Sequence, residues 1–258
     1  MEEFKKNKKR HVLINAIMGV LIVICLISGI SLEILAEIDN TIALILFVIA
    51  FGLLVIGILC FILFYKMDRK ITQKLLEQLN QEIDREYTYT HDIPIIDLIQ
   101  DSLYQIPNKT TSAFAKEGIS GKLEDVSFEY YLFTFEKESF FTNQKDAYEL
   151  YIYKNSSVFS REFFVTKEQM KKVEDYKETS IGYTYIYTKH NEEFSKADLP
   201  GDVFFLSVNQ HTLFVFKKAL RKQPLYMQAE TLEEFKDGFA KEIEKIKLTY
   251  EETKNWTK

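Results

Sequence analysis

Two apolar stretches near the N-terminus stand out against an otherwise polar chain. Val12–Leu32 runs 21 residues without a charge, and Thr41–Tyr65 runs 25 more after a short acidic break. About 20 apolar residues carry a helix across a hydrocarbon core of roughly 30 Å. Each stretch therefore predicts a membrane span, and the pair predicts a hairpin. The first is too long for the usual 7–15-residue core of a signal peptide.

Beyond the second stretch the periodicity becomes helical and amphipathic. Ile71, Leu75, Leu79 and Ile83 recur every fourth residue in a segment, 67–86, free of Gly and Pro. This predicts a helix continuing from the second span, which either packs on its own domain or pairs with another copy. Asp92 is positioned to cap a short helix carrying Ile95 to Leu103, with Pro94 in its first turn. Pro107 ends that helix, and Gly118 and Gly121 mark a loop before the strands.

Aromatic and β-branched residues then dominate six segments: 124–136, 147–153, 157–165, 183–188, 202–208 and 212–217. The short separations favour antiparallel pairing, and Asn209–His211 reads as a hairpin turn. Tyr183, Tyr185 and Tyr187 alternate with Thr184, Ile186 and Thr188, the pattern of a sheet with one face in water. Thr166 and Gln169 form a capping box ahead of a helix carrying Met170, Val173 and Tyr176. A second box, Thr231 with Glu234, opens a C-terminal helix whose Leu232, Phe235, Phe239, Ile243, Ile246 and Tyr250 share one face. Such a stripe needs a sheet to cover. The expected fold is α+β: a two-helix transmembrane hairpin plus antiparallel strands closed by a long terminal helix. The soluble part is similar in outline to pleckstrin-homology-like domains. Four regions follow: a basic flank (1–11), the hairpin (12–65, with spans 12–32 and 41–65), membrane-proximal helices (66–106) and a cytosolic α+β domain (107–258).

Charge orients this arrangement. Residues 1–11 hold five cations against two anions, and Lys66, Arg69, Lys70 and Lys74 follow the second span. The break between the spans contains Glu33, Glu37 and Asp39 and no Lys or Arg. Cations collect on the cytoplasmic side, so both termini are expected in the cytoplasm of a multi-pass cell-membrane protein. The sequons at Asn108, Asn155 and Asn255 then have no role. From Lys66 onward 28 cations face 33 anions, which disfavours nucleic acid as a partner. Cys25 and Cys60 both lie in the apolar stretches, leaving the soluble part without a disulfide framework. No ionisable residue interrupts either span, so the hairpin reads as an anchor rather than a transport path.

Little in the sequence specifies chemistry. His190 and its neighbours do not make H-E-x-x-H, and G-x-S-x-G, the phosphate loop and G-x-G-x-x-G are missing. The pairs Glu124–Asp125 and Glu192–Glu193 sit where polar turns belong. No catalytic, cofactor-binding or metal-binding residue is assigned, and no cofactor is expected. The one candidate surface is an aromatic groove of Tyr130, Tyr131, Tyr183, Tyr185 and Tyr187.

Two N-terminal stretches, a membrane-proximal helix, the strand EDVSFEYYLFTFE after a Gly-x-x-Gly segment, the late hairpin GDVFFLSVNQHTLFVF and a terminal FAKEIEKIK helix occur in that order. In this the chain resembles an uncharacterised family of bacterial double-span membrane proteins with a cytosolic domain of unknown function. The resemblance implies no catalytic residues. The expected function is a membrane-anchored binding or scaffolding domain without catalysis, its partners the bilayer and a protein or lipid headgroup, or a second copy through the 67–86 helix. The alternative is an accessory or immunity-type subunit acting through its spans beside a transporter.

Overall fold

The structure is a computed structural model that describes residues 2–36, 41–106, 110–137, 147–154, 162–167, 175–181, 184–189, 202–209 and 211–254. The chain divides into two compact units, Met1–Leu79 and Asn80–Lys258. Among the described residues the helices are α1 (Glu2–Ala36), α2 (Thr41–Glu82), α3 (Ile96–Asp101), α4 (Leu225–Gln228) and α5 (Leu232–Thr253). The strands among them are β1 (Thr88–Thr90), β2 (Ile93–Pro94), β3 (Thr110–Leu123), β4 (Val126–Lys137), β5 (Ala147–Lys154), β6 (Phe163–Thr166), β7 (Lys177–Ile181), β8 (Thr184–Thr188), β9 (Val203–Asn209) and β10 (Thr212–Lys218). Both elements and pairing are α+β with an antiparallel sheet, as the pattern predicts.

In the first unit, α1 and α2 contain the two apolar stretches, and both are long and apolar enough to cross a membrane. Their large side chains point outward: Leu26, Leu44 and Leu63 are each more than 60% exposed. Exposed aliphatic surface on this scale marks a helix that needs an apolar environment. The second stretch continues without a break into the expected 67–86 helix, which ends at Glu82, and Leu75, Leu79 and, just past the end, Ile83 are buried.

In the second unit the strands pair antiparallel in the order β1-β3-β4-β5-β10-β9-β6-β8-β7, with β2 also on β3. Cross-strand partners share a face, so the register sorts the core into two sides. Phe133, Leu150, Ile152, Phe214 and Phe216 lie on one, with Ile95 and Ile99 packed among them. Tyr104 stacks on Phe216 at 4.9 Å and meets Phe205 edge-on at 5.1 Å. Phe128, Tyr130, Glu149, Tyr151 and Tyr153 occupy the opposite side. There the Tyr153 hydroxyl donates to the Ile246 carbonyl at 2.7 Å, and Phe235 meets Tyr89 edge-on at 5.2 Å. Both sides of the central strands are buried. Tyr187, Ile186 and Thr188 are all buried on β8, which replaces the expected half-wet sheet.

The largest departure from the sequence pattern is β3. Residues 110–123, expected as a loop marked by Gly118 and Gly121, form the longest strand. The glycines serve close approach instead of a turn. A Cβ on Gly121 would lie 2.4 Å from the Tyr87 ring and 3.0 Å from the Glu86 carbonyl, and one on Gly118 would lie 2.7 Å from the Thr90 hydroxyl. Gly121→Val is therefore expected to destabilise the second unit by about 1–3 kcal/mol, the usual cost of overpacking. Thermal melting of the full chain in detergent checks it, with an unchanged midpoint refuting the contact. Pro94 also moves, from the first turn of a helix to β2 beside Phe114 at the sheet edge, where its missing N–H costs no ladder bond. The N-cap of α3 is then Ile95, without a side-chain bond, and Asp92 caps nothing there.

The C-terminal capping box is present: the Thr231 hydroxyl accepts from the Glu234 N–H at 3.1 Å, and Glu234 accepts from the Glu230 N–H at 2.7 Å. The buried residues of α5 are Phe235, Phe239, Glu242, Ile246, Thr249 and Thr253. They step by four and three, with Glu242, Thr249 and Thr253 where the sequence reading places only apolar positions. The helix expected after Thr166 lies outside the described residues.

Candidate functional site

A strand irregularity assembles the main polar cluster. The β3–β4 register shifts between Ala115 and Glu117. A bulge of one residue turns everything after it to the other side of the sheet. Ala115 thus faces the aromatic core while Glu117 faces Tyr130 and Glu149. On β1, Asn80 fixes Tyr89 by donating to its carbonyl at 2.9 Å and accepting from its N–H at 2.7 Å. This aims the Tyr89 hydroxyl at Glu117, to which it donates at 2.9 Å.

Glu117 is wholly buried. Besides Tyr89 it accepts from the Leu225 N–H at 2.6 Å and from both terminal nitrogens of Arg221, one of them at 3.0 Å. Arg221 also donates to the Tyr130 hydroxyl at 3.0 Å and lies 3.3 Å from Glu242. Glu242 pairs with Lys245 at 3.4 Å, one helical turn on, and Lys245 reaches Glu149 at 2.6 Å. The Tyr151 hydroxyl donates to Glu149 at 2.8 Å. Glu117, Arg221, Glu242, Lys245 and Glu149 thus alternate in sign along one chain drawn from β3, the segment after β10, α5 and β5, its carboxylates buried and Lys245 half-buried.

Burial first, then the adjacent carboxylates, push the hydroxyls of Tyr89, Tyr130 and Tyr151 well above the ordinary tyrosine pKa. They stay protonated at neutral pH and act as donors. Burial works against the Arg221 charge, but Tyr130, Glu117 and Glu242 outweigh it and raise its pKa. A carboxylate already accepting four bonds has few lone pairs left for substrate. Chemically, this arrangement pins the 221–226 backbone and α5 residues to β3 and β5. Only the Arg221 Nε and the Thr110 hydroxyl lack a partner among the buried side-chain polar atoms of the described residues.

A second polar feature opens to solvent. Lys122, Glu124, Asp125, Ser127, Lys154, His211 and Thr212 line a cleft of about 590 Å³ at the turns between β3 and β4 and between β9 and β10. Glu124, in the first of these turns, has φ 54°, a left-handed conformation that non-glycine residues seldom adopt. Lys154 pairs with Glu129 at 2.5 Å.

A third lies in the first unit. His11 Nδ1 is 2.7 Å from Asp68 and 3.3 Å from the Thr72 hydroxyl, while its Nε2 is 3.1 Å from the Asn15 amide. These groups join α1 to α2 at the polar borders of the apolar stretches.

The tyrosines named from sequence do not converge. Tyr130 and Tyr131, adjacent on β4, face opposite sides: the first enters the buried network, while the second packs beside the aromatic core and donates to Glu129 at 2.9 Å. Tyr187 stacks on Phe164 at 4.4 Å, and Tyr185 packs against the same core. Tyr183 lies outside the described residues. Glu117, Glu149, Arg221, Glu242 and Lys245 escaped the sequence reading. Two of them left a signal: Glu149 interrupts the apolar strand AYELYIY, and Glu242 falls on the three-four stripe of α5.

Comparison of the chain with protein-family models, curated proteins and solved structures finds no match.

Proposed function

We propose that α1 and α2 cross the cell membrane as a hairpin with both ends in the cytoplasm, and that they anchor a cytosolic binding or scaffolding domain that performs no catalysis. In this reading α5 is the permanent cover of the sheet. The observation that carries it is the contrast between the two units. The first turns bare aliphatic side chains outward over two helices with cationic borders. The second pairs Glu117 with Arg221 and Glu149 with Lys245, and among the described residues a polar cleft opens to solvent.

Protease added to intact cells is expected to leave the region beyond Lys66 whole and to digest it in inverted vesicles; the reverse pattern overturns the orientation. Crosslinking and capture of the full chain from membranes is expected to recover a stoichiometric partner, and recovery of the chain alone counts against scaffolding. The His11–Asp68–Thr72 contacts favour a second reading, an accessory subunit whose paired spans act beside a transporter. Replacing the hairpin by an unrelated two-span anchor separates the two: function survives under the first reading and is lost under the second.

A further inference from the structure

We propose that the cleft at the β3–β4 and β9–β10 turns binds a small zwitterion, a phosphate ester carrying an ammonium group, of which phosphoethanolamine is the simplest; this rests on reading the second unit as a binding domain. The cleft volume of about 590 Å³ falls within the roughly 300–1,000 Å³ of ligand sites. Its floor is set by register. Lys122 lies opposite Ser127, Ser127 opposite Lys154, and Lys154 opposite Thr212. Partners share a face, and neighbouring strands stand about 4.8 Å apart. Ammonium, hydroxyl, ammonium and hydroxyl therefore follow one another across four strands.

Two ammonium groups and the Thr212 hydroxyl suit a tetrahedral anion with several oxygens better than a carboxylate with two. Part of this capacity is already used. The Ser127 hydroxyl donates to the Lys154 carbonyl at 3.4 Å, and the Lys154 ammonium pairs with Glu129. The Lys154 ammonium keeps two of its three donors for a ligand, while the Ser127 hydroxyl, its one proton given to the carbonyl, only spaces the two lysines.

The walls decide the ligand's other end. Glu124 and Asp125 line the cleft with the two lysines, so besides His211 its ionisable side chains carry two charges of each sign. A bare anion gains little from such a balanced field, while a ligand bearing both charges is complementary to it. Lys254 interacts electrostatically with Glu124. Asp125 is the carboxylate assigned to the ligand's ammonium, with His211 lining the cleft from the β9–β10 turn.

The test is calorimetric titration of the full chain in detergent with phosphoethanolamine, inorganic phosphate, ethanolamine and a short-chain phosphatidylethanolamine. Saturable binding of phosphoethanolamine about tenfold or more tighter than either fragment is expected, since each charge-assisted contact contributes on that scale. Lys122→Gln and Asp125→Asn should each weaken it about tenfold or more, and Lys122→Arg should retain it. Binding of the free ester assigns a soluble ligand, whereas binding of the lipid alone assigns a headgroup; either supports the site. Phosphate binding as tightly as the ester overturns the zwitterion, and silence of all four ligands, or indifference to both substitutions, overturns the site. If the chain still captures a stoichiometric partner from membranes, that failure belongs to the cleft and not to the binding-domain reading.

Discussion

Raising the pH from about 9 to about 11 should unfold the second unit cooperatively. Tyr89, Tyr130, Tyr151 and Tyr153 all have hydroxyls held well above the ordinary value of 10.0, by burial first and by neighbouring charges second. In the unfolded chain they lose their protons near that value. Above it the folded state binds more protons than the unfolded state, so stability falls as pH rises. Their contribution is complete below pH 10 and drains away toward the raised folded values. At about pH 11 each group costs on the order of 1 kcal/mol, and the four together several kcal/mol. That equals the whole stability of many domains. Circular dichroism should be lost in the same step as the last phenolate absorbance to appear, that of these four groups. Complete ionisation of all 15 tyrosines with the sheet intact would show that these hydroxyls are not buried as described. Tyr153→Phe should make the alkaline loss of stability less steep, since one titrating group is gone.

Arg221→Met should lower stability by about 3–5 kcal/mol, the cost of stripping one partner from a buried ion pair. Glu117 would keep the Tyr89 hydroxyl and the Leu225 N–H but lose the cation that balances its charge. The double variant Arg221→Met with Glu117→Gln should recover part of that loss, because a neutral amide needs no counter-charge. Melting of the full chain in detergent measures both. If the single variant melts like the parent, the network is a bystander; if the double variant is no better than the single, the loss comes from packing and not from charge.

How much of this was legible in the sequence depended on how local the signal was. Long apolar runs, the Thr231–Glu234 box and the aromatic strands each depend on neighbours a few residues away, and the structure has two long apolar helices, the capped α5 and the antiparallel sheet. What failed was whatever a distant partner decides. Gly118 and Gly121 read as loop punctuation because the residues that crowd them, Thr90 and Tyr87, arrive from about 30 residues upstream. Arg221 lies 104 positions from Glu117, so no window could pair them. The tyrosine ladder looked like an exposed face because alternation cannot tell one covered side from two.

The extra residue in β3 has a genetic corollary. Ala115 and Glu117 have the same parity, and in a regular strand both would look the same way. Losing a single codon at Lys116 would make Ala115 and Glu117 neighbours in a regular zigzag and still leave Ala115 opposite Phe133 and Glu117 opposite Leu132. A codon lost anywhere from 117 to 123 would instead turn the residues beyond it to the wrong side, so a one-residue shortening of this strand should be tolerated at the bulge and nowhere after it.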